Sequence, residues 1–183
     1  MAELSHARVL MIATDGFETS ELMKPRQALI DAGATVTLAS LKMDPITGES
    51  GGEKGGSITP DMLVSEVDGA DYDALVLPGG VHNPDTLRMD ETTVDLVETF
   101  FEDGKTVAAI CHAPWLLIEA DIVDGKRATS WPSLRTDLEN AGATVVDEEV
   151  VVDGNLITSR NPDDIPAFVE AIKAALVKEA ADA

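Results

Sequence analysis

The sequence has one cysteine and no long apolar run, and each shortage excludes a class of protein. With Cys111 alone, the 183-residue chain cannot form an internal disulfide, which favours a cytoplasmic setting over an oxidising one. No apolar run approaches the roughly 20 residues that a membrane-spanning helix needs. The short apolar stretch near the N-terminus lacks the basic flank and the small-residue cleavage site of a signal peptide. We therefore expect a cytoplasmic protein.

Basic side chains are also scarce. Thirteen lysines and arginines stand against 34 aspartates and glutamates, which gives a formal net charge of −21. Such a surface repels phosphate backbones and anionic lipid heads, so we expect neither nucleic-acid binding nor membrane binding. The acids are dispersed among apolar positions, unlike an acidic tail. This pattern is typical of a protein from a high-salt cytoplasm, where screening removes the self-repulsion, and an acidic protein of an ordinary cytoplasm is the alternative.

Short apolar segments alternate with helical patterns along the chain. The segments that predict buried strands are 8–13, 34–40, 72–78 and 106–110. The glycine-rich segment 41–61 predicts a loop or a hairpin, and Asp153-Gly154 predicts a second hairpin turn. A terminal helix is expected from about Pro162. Strands alternating with helices indicate an α/β fold: a three-layer α/β/α sandwich with a mainly parallel sheet, in a single domain over residues 1–183.

Three points of the sequence fall where such a sheet binds ligands, beyond the carboxyl ends of its strands. Asp15-Gly16-Phe17-Glu18 follows the first strand, Gly79-Gly80 follows a middle strand, and Cys111-His112 follows the next. Their loops are expected to share one edge of the sheet.

Cys111 comes directly after a strand, and Pro114 marks the first turn of the next helix. A thiol at this junction faces free amide hydrogens and the positive end of the helix dipole, which favour a thiolate. The alternative is a buried, inert cysteine. His112 could act as an acid or a base, although adjacent side chains usually point apart.

Glu18 is the acid that we expect beside this thiol. A charged carboxylate would oppose ionisation of the thiol, but a carboxyl group kept protonated by burial could donate a hydrogen bond to the thiolate. The alternative is a solvated loop acid. Gly79-Gly80 permits close backbone approach and free amides, which suit an oxyanion site, or it forms only a tight turn.

Several common sites are excluded. The loop TDGFETS is neither a GxGxxG nor a Walker sequence, so nucleotide binding has little support. The three histidines, at positions 6, 82 and 112, have no metal-site spacing, and we expect neither a metal nor a cofactor. No histidine follows His112, so a catalytic triad with its base downstream cannot be assembled.

Three segments together resemble the PfpI/ThiJ family of the class I glutamine amidotransferase-like superfamily. They are LVLPGGVHNPDTLR, VAAICHAPWLLIEADIVDGKRATSWPS and DLENAGATVVDEEVVVDGNLITSRNPDDIPAF. The similarity runs from Arg8 almost to the C-terminus, and AICHAPW after a PGG loop is a specific match. The resemblance implies a flavodoxin-like sandwich, in agreement with the fold expected above.

The resemblance also implies roles for particular residues. It makes Cys111 the nucleophile of a nucleophile elbow and Glu18 the buried acid that contacts its sulfur. It places an oxyanion pocket at the backbone amides around Gly80 and His112. In similar proteins the histidine meets an acidic residue of a neighbouring subunit, and Asp85 stands at that position here. A homo-oligomer, a dimer or a hexamer, with the site near a subunit interface is thus implied.

Activities implied by the resemblance are intracellular peptidase action, cofactor-independent conversion of methylglyoxal to lactate, and removal of early glycation adducts. Our first hypothesis is accordingly a cysteine-dependent hydrolase whose partner is a small carbonyl compound, a glycated protein or a peptide. The alternative is a non-catalytic oxidative-stress sensor or chaperone that uses oxidation of Cys111.

Overall fold

The computed structural model describes residues 3–182 of the chain as a central sheet with helices on both faces. The strands are β1 (Arg8–Ile12), β2 (Thr35–Ser40), β3 (Ile46–Ser50), β4 (Glu53–Ile58), β5 (Met62–Leu63), β6 (Ala74–Leu77), β7 (Thr106–Ile110), β8 (Arg127–Ala128), β9 (Thr144–Val145), β10 (Val151–Asp153) and β11 (Leu156–Ser159). The helices are α1 (Thr19–Asp31), α2 (His82–Leu87), α3 (Glu91–Glu102), α4 (Pro114–Glu119), α5 (Arg135–Asn140) and α6 (Ile165–Asp182). The single domain expected for residues 1–183 includes residues 1, 2 and 183, which lie outside the described residues, and it stays a prediction.

Seven strands form the central sheet in the order β10-β11-β7-β6-β1-β2-β5. All neighbours in this sheet are parallel except β10, which pairs antiparallel with β11. This arrangement confirms the α/β fold with a mainly parallel sheet. Strands β8 and β9 form a separate parallel pair. None of the helices in residues 3–182 has the length and apolar character that a membrane crossing requires.

The alternating directions of the side chains along β1 show why helices cover both faces of the central sheet. Val9 and Met11 point into one apolar core, and Leu10 and Ile12 point into the other, because successive side chains of a strand face opposite sides. Helices α1 and α6 close the first core, whereas α3, α4 and α5 close the second. The sheet is therefore buried on both sides, as a parallel sheet requires.

Both segments with hairpin signals are hairpins. Strands β3 and β4 are antiparallel and join through Gly51-Gly52, whose positive φ angles of 60° and 84° suit glycine. Strands β10 and β11 join through Gly154, with φ 60°. The first hairpin lies apart from the central sheet.

Strands β1, β6 and β7 are the feature of the fold that builds the site. They are consecutive neighbours in the sheet and run parallel, so their carboxyl ends lie side by side. The loops that begin at Ala13, Pro78 and Cys111 consequently meet at one edge.

Candidate active site

Cys111 occupies the sharp turn between β7 and α4, with a φ of +66°. A left-handed backbone costs a residue with a side chain about 1–2 kcal/mol. Two hydrogen bonds hold this conformation: the Cys111 N–H donates to the Ser159 carbonyl (3.0 Å), and the Cys111 carbonyl accepts from the Trp131 N–H (2.9 Å). The surrounding structure therefore fixes the direction in which the thiol points.

The Cys111 side chain is 5% exposed and meets polar groups on several sides. Its sulfur lies 3.1 Å from Nδ1 of His112, so these adjacent side chains do converge. Burial and the Glu21 carboxyl raise the pKa of the thiol, while the N–H groups of Gly80 and His112 oppose that rise. The expectation that the helix terminus alone lowers the pKa is thus wrong, because desolvation outweighs the amide hydrogens.

The acid beside the thiol is Glu21. It is fully buried, and its Oε2 accepts a hydrogen bond from the Gly79 N–H (2.9 Å). Burial first, and then the negative charge of Glu18, raise the pKa of Glu21 from 4.5 to about 8, against the opposing hydrogen bonds of Gly79 and Cys111. At neutral pH the protonated form of Glu21 predominates.

Glu18, the acid that the sequence assigned to this contact, has another place. It is the N-cap residue of α1, and its Oε2 accepts from the Glu21 N–H (2.9 Å) and from the Ser20 hydroxyl. As the N-cap residue, Glu18 satisfies the first turn of α1 from the helix end, whereas Glu21 lies within that turn and faces the sulfur.

One signal in the sequence could have identified Glu21. The positions 21, 25 and 29 are one helical turn apart, and all three residues (Glu21, Pro25 and Leu29) are buried. An acid aligned with the apolar face of a helix is directed towards the protein interior, whereas an N-cap acid stays at the helix end.

Close approach of three backbone segments explains the glycine pair. A Cβ on Gly79 would lie 2.5 Å from Oε2 of Glu21 and 2.7 Å from Cβ of Cys111. Gly80 has φ +82°, and a Cβ there would lie 2.3 Å from the Gly16 carbonyl oxygen. Only glycine allows this loop to pass so close to the thiol and to the β1 loop.

Burial lowers the pKa of His112, which favours its uncharged imidazole form. Its ring stacks on Trp131 (5.7 Å between centroids) and meets the edge of Trp115 (5.4 Å). Its Nε2 lies 3.5 Å from the Ser133 hydroxyl. Asp85 is exposed on α2, and no hydrogen bond within the described part of the protomer joins it to His112.

A cavity of about 320 Å³ opens above the thiol. Cys111, Glu21 and His112 are buried lining residues, and the carboxyl-bearing residues Glu18 and Glu49 also line it. No lysine or arginine of residues 3–182 does. That same span contains no cluster of histidine, cysteine, aspartate and glutamate side chains placed to hold a metal ion.

Known proteins are similar to this chain in sequence and in fold. The chain is 43% identical over 162 residues to a deglycase of Thermococcus kodakarensis, a match that covers 88% of this chain and 95% of the relative. It is 42% identical over 161 residues to a Bacillus subtilis protein named provisionally as a cysteine protease, with 88% and 93% covered.

A crystal structure also shows this similarity. A two-domain Anabaena variabilis protein with DJ-1/ThiJ/PfpI-like and ferritin-like domains superposes with a TM-score of 0.88 at 38% identity. The match covers 93% of this chain and 48% of that one. Residues 7–175 match the sequence profile of the DJ-1/PfpI family. The chain therefore belongs to the DJ-1/PfpI family.

Proposed function

We propose that this chain is a cysteine-dependent hydrolase that acts on small reactive carbonyl compounds or on their protein adducts. The observation that carries the proposal is the setting of Cys111: a thiol fixed in a left-handed turn below an open cavity, beside a carboxyl group that burial keeps protonated. The names of the relatives, deglycase and cysteine protease, support the same class of reaction.

In the active form of the Cys111–Glu21 pair, the negative charge lies on the Cys111 sulfur and the proton lies on Glu21. Ionisation of Glu21 is disfavoured by its burial and by the neighbouring Glu18. A protonated Glu21 no longer repels a thiolate and can donate a hydrogen bond to it, together with the N–H groups of Gly80 and His112. When the pair holds a single proton, its transfer from Cys111 to Glu21 gives a thiolate beside a neutral acid, and because burial raises the pKa of the thiol this is the minor, reactive form.

Addition to a carbonyl group is the first chemical step. The thiolate sulfur of Cys111 forms a bond to the carbonyl carbon, and the π electron pair moves to the oxygen. Backbone amides around Gly80 and His112 stabilise the negative oxygen, which then takes the proton of Glu21. In this scheme Glu21 has the proton-donor role that the sequence assigned to Glu18, and His112, whose pKa is lowered by burial, can carry a proton in the later steps.

The cavity favours small or cationic substrates. A volume of about 320 Å³ suits a small carbonyl compound or a single adducted side chain, whereas a peptide requires an extended groove. The carboxylates Glu18 and Glu49 favour the amine part of a lysine or arginine adduct over a phosphate. We expect faster turnover of the methylglyoxal adduct of N-acetyl-lysine than of a nucleotide adduct, and the reverse order would contradict this substrate class.

A direct assay tests the function. Purified protein is incubated with methylglyoxal, with a glycated peptide and with casein, beside Cys111→Ala and the near-isosteric Cys111→Ser. We expect the wild type to consume the first two substrates and both variants to be inactive. If the wild type matches the Cys111→Ala variant on all three substrates, the enzyme hypothesis fails.

We further propose that a second copy of the chain completes the site, with Asp85 approaching His112 of the neighbouring subunit. Asp85 is exposed, and the apolar Val81 and Trp131 at the cavity are 46% and 39% exposed, which leaves this side open for a partner. Light scattering tests for the oligomer. Mixing inactive Asp85→Asn and Cys111→Ala proteins should restore activity through hybrid sites, and a mixture that stays inactive would exclude a shared site.

Oxidation sensing is the second candidate, favoured by the protonated carboxyl beside the thiol. Two peroxide molecules each transfer one oxygen atom to the Cys111 sulfur and leave as water, which gives a sulfinate that Glu21 can stabilise by a hydrogen bond. Mass spectrometry should then show the gain of two oxygen atoms under mild peroxide, and less of this product in Glu21→Ala. Direct overoxidation to the sulfonate in both proteins would contradict a sensor.

A further inference from the structure

Asn83 is a fully buried polar residue next to the site that the reaction scheme does not use. It lies on α2, and all the hydrogen bonds of its carboxamide go to backbone groups of the two neighbouring loops. Its Oδ1 accepts from the Thr14 N–H (2.8 Å). Its Nδ2 donates to the carbonyls of Pro78 (3.0 Å) and Gly79 (3.1 Å).

The two carbonyls belong to successive peptide units of the glycine loop. In a trans peptide unit the C=O and N–H groups point in opposite directions, and the described residues contain no cis peptide bond. Holding the Pro78 carbonyl towards Asn83 turns the Gly79 N–H away from it, to Oε2 of Glu21 (2.9 Å). Holding the Gly79 carbonyl likewise turns the Gly80 N–H to the opposite side, and this N–H counteracts the rise in the pKa of the Cys111 thiol.

Glycine makes such an external constraint necessary. Gly79 and Gly80 have no side chains to restrict rotation of their peptide planes, and Gly80 already adopts a positive φ. Within residues 3–182, the one other bond that the Gly79 carbonyl accepts is the longer one from the Glu18 N–H (3.2 Å). A flipped plane would direct a carbonyl oxygen at the sulfur and repel a thiolate.

We propose that Asn83 is a positioning residue: its carboxamide fixes both peptide planes so that one N–H faces Glu21 and the next faces Cys111. The inference rests on the proposed function only where turnover is concerned, since the orientation of the amides acts on the thiol without any substrate. Through Thr14 the same side chain ties the glycine loop to the carboxyl end of β1, so two of the three loops of the site share one hydrogen-bonded centre.

The test is the pH dependence of Cys111 alkylation by iodoacetamide, with no substrate present. Asn83→Ala frees both peptide planes, and we expect the midpoint of thiol ionisation to rise by about one pH unit, which gives about tenfold slower alkylation below both midpoints. Asn83→Asp is the second variant. It keeps an acceptor for Thr14 and nearly the same volume but has no donor for the two carbonyls, and the midpoint should rise at least as far.

Asn155→Ala is the matched control. The Asn155 carboxamide also donates to two backbone carbonyls, those of Phe101 (3.0 Å) and Lys105 (2.8 Å), but it lies before β11, at the opposite edge of the sheet. It should lower the melting temperature and leave the alkylation midpoint unchanged.

Two results would overturn the proposal. One is an alkylation midpoint of folded Asn83→Asp that equals the midpoint of the wild type. The other is a shift of the midpoint in Asn155→Ala as large as that in Asn83→Ala, which would indicate a general effect of lost stability. With a carbonyl substrate, Asn83→Ala should lower kcat more than it changes KM. If the wild type turns over no carbonyl substrate, the proposed function fails, while the alkylation profiles still decide the role of Asn83.

Discussion

Replacing Glu21 with glutamine should make the protein more stable at high pH and leave it nearly unchanged at low pH. Glu21 is fully buried, and its pKa is raised from 4.5 to about 8 by burial and by Glu18. The folded state therefore binds the proton of this carboxyl more tightly than the unfolded state does. Glutamine has nearly the same shape, can accept from the Gly79 N–H, and cannot ionise.

The magnitude follows from the pKa difference. Each pKa unit corresponds to about 1.36 kcal/mol, so the protonated carboxyl of Glu21 contributes roughly 4–5 kcal/mol relative to the ionised one. Because the folded-state pKa is raised, this contribution is fully present below pH 4.5 and is lost as the pH rises through about 8. The advantage of Glu21→Gln over the wild type should grow across that window and then level off.

Urea unfolding followed by circular dichroism, at a series of pH values across the window, measures the effect. Glu98→Gln, which removes one charge from the exposed face of α3, is the control and should run parallel to the wild type. A constant difference between Glu21→Gln and the wild type would refute the reasoning, because it would mean that Glu21 is not held protonated. A difference that shrinks with pH would mean that the carboxylate is the stabilised form.

Three further predictions concern the glycine loop, the core and the charge. Gly80→Ala should abolish Cys111 alkylation or folding, because the added Cβ would overlap the Gly16 carbonyl oxygen. Gly104→Ala is the control: Gly104 also has a positive φ (+74°) but has open space around it, so the substitution should lower the free energy of unfolding by only about 1–2 kcal/mol. Equal losses of stability in the two variants would contradict the close approach at Gly80. Phe168→Ala should lower the free energy of unfolding by about 3–5 kcal/mol, since the ring is fully buried under the sheet, and a loss below about 1 kcal/mol would contradict its place in the core. Molar KCl should raise the melting temperature if the charge of −21 is adapted to high salt, and a flat response would reject that hypothesis.

Local patterns in the sequence were enough to predict the architecture. Apolar runs such as those of β1 and β7 are buried on both faces, so they identify strands of a parallel sheet without knowledge of their neighbours. The position of Cys111 directly after such a run was sufficient to place it at the ligand-binding edge. Both hairpins were equally visible, because their glycines mark the turns.

The tertiary structure alone decided which groups surround the sulfur. The start of α1 was the first uncertainty: Glu18 is its N-cap residue at the helix end, whereas Glu21 lies in the first turn and is buried beside the sulfur. The Asn83 contacts depend on the adjacency of β1 and β6, which sequence spacing does not reveal.

The ionisation of Cys111 shows most clearly what the sequence predicts and what only the tertiary structure decides. The sequence placed the thiol before a helix and so predicted a lowered pKa, from an interaction that is local. The structure adds burial and the Glu21 carboxyl, which raise the pKa. The sequence determined where the thiol stands in the chain, and the packing of three loops determined its environment, because desolvation and charge depend on distances in space rather than on separation along the chain.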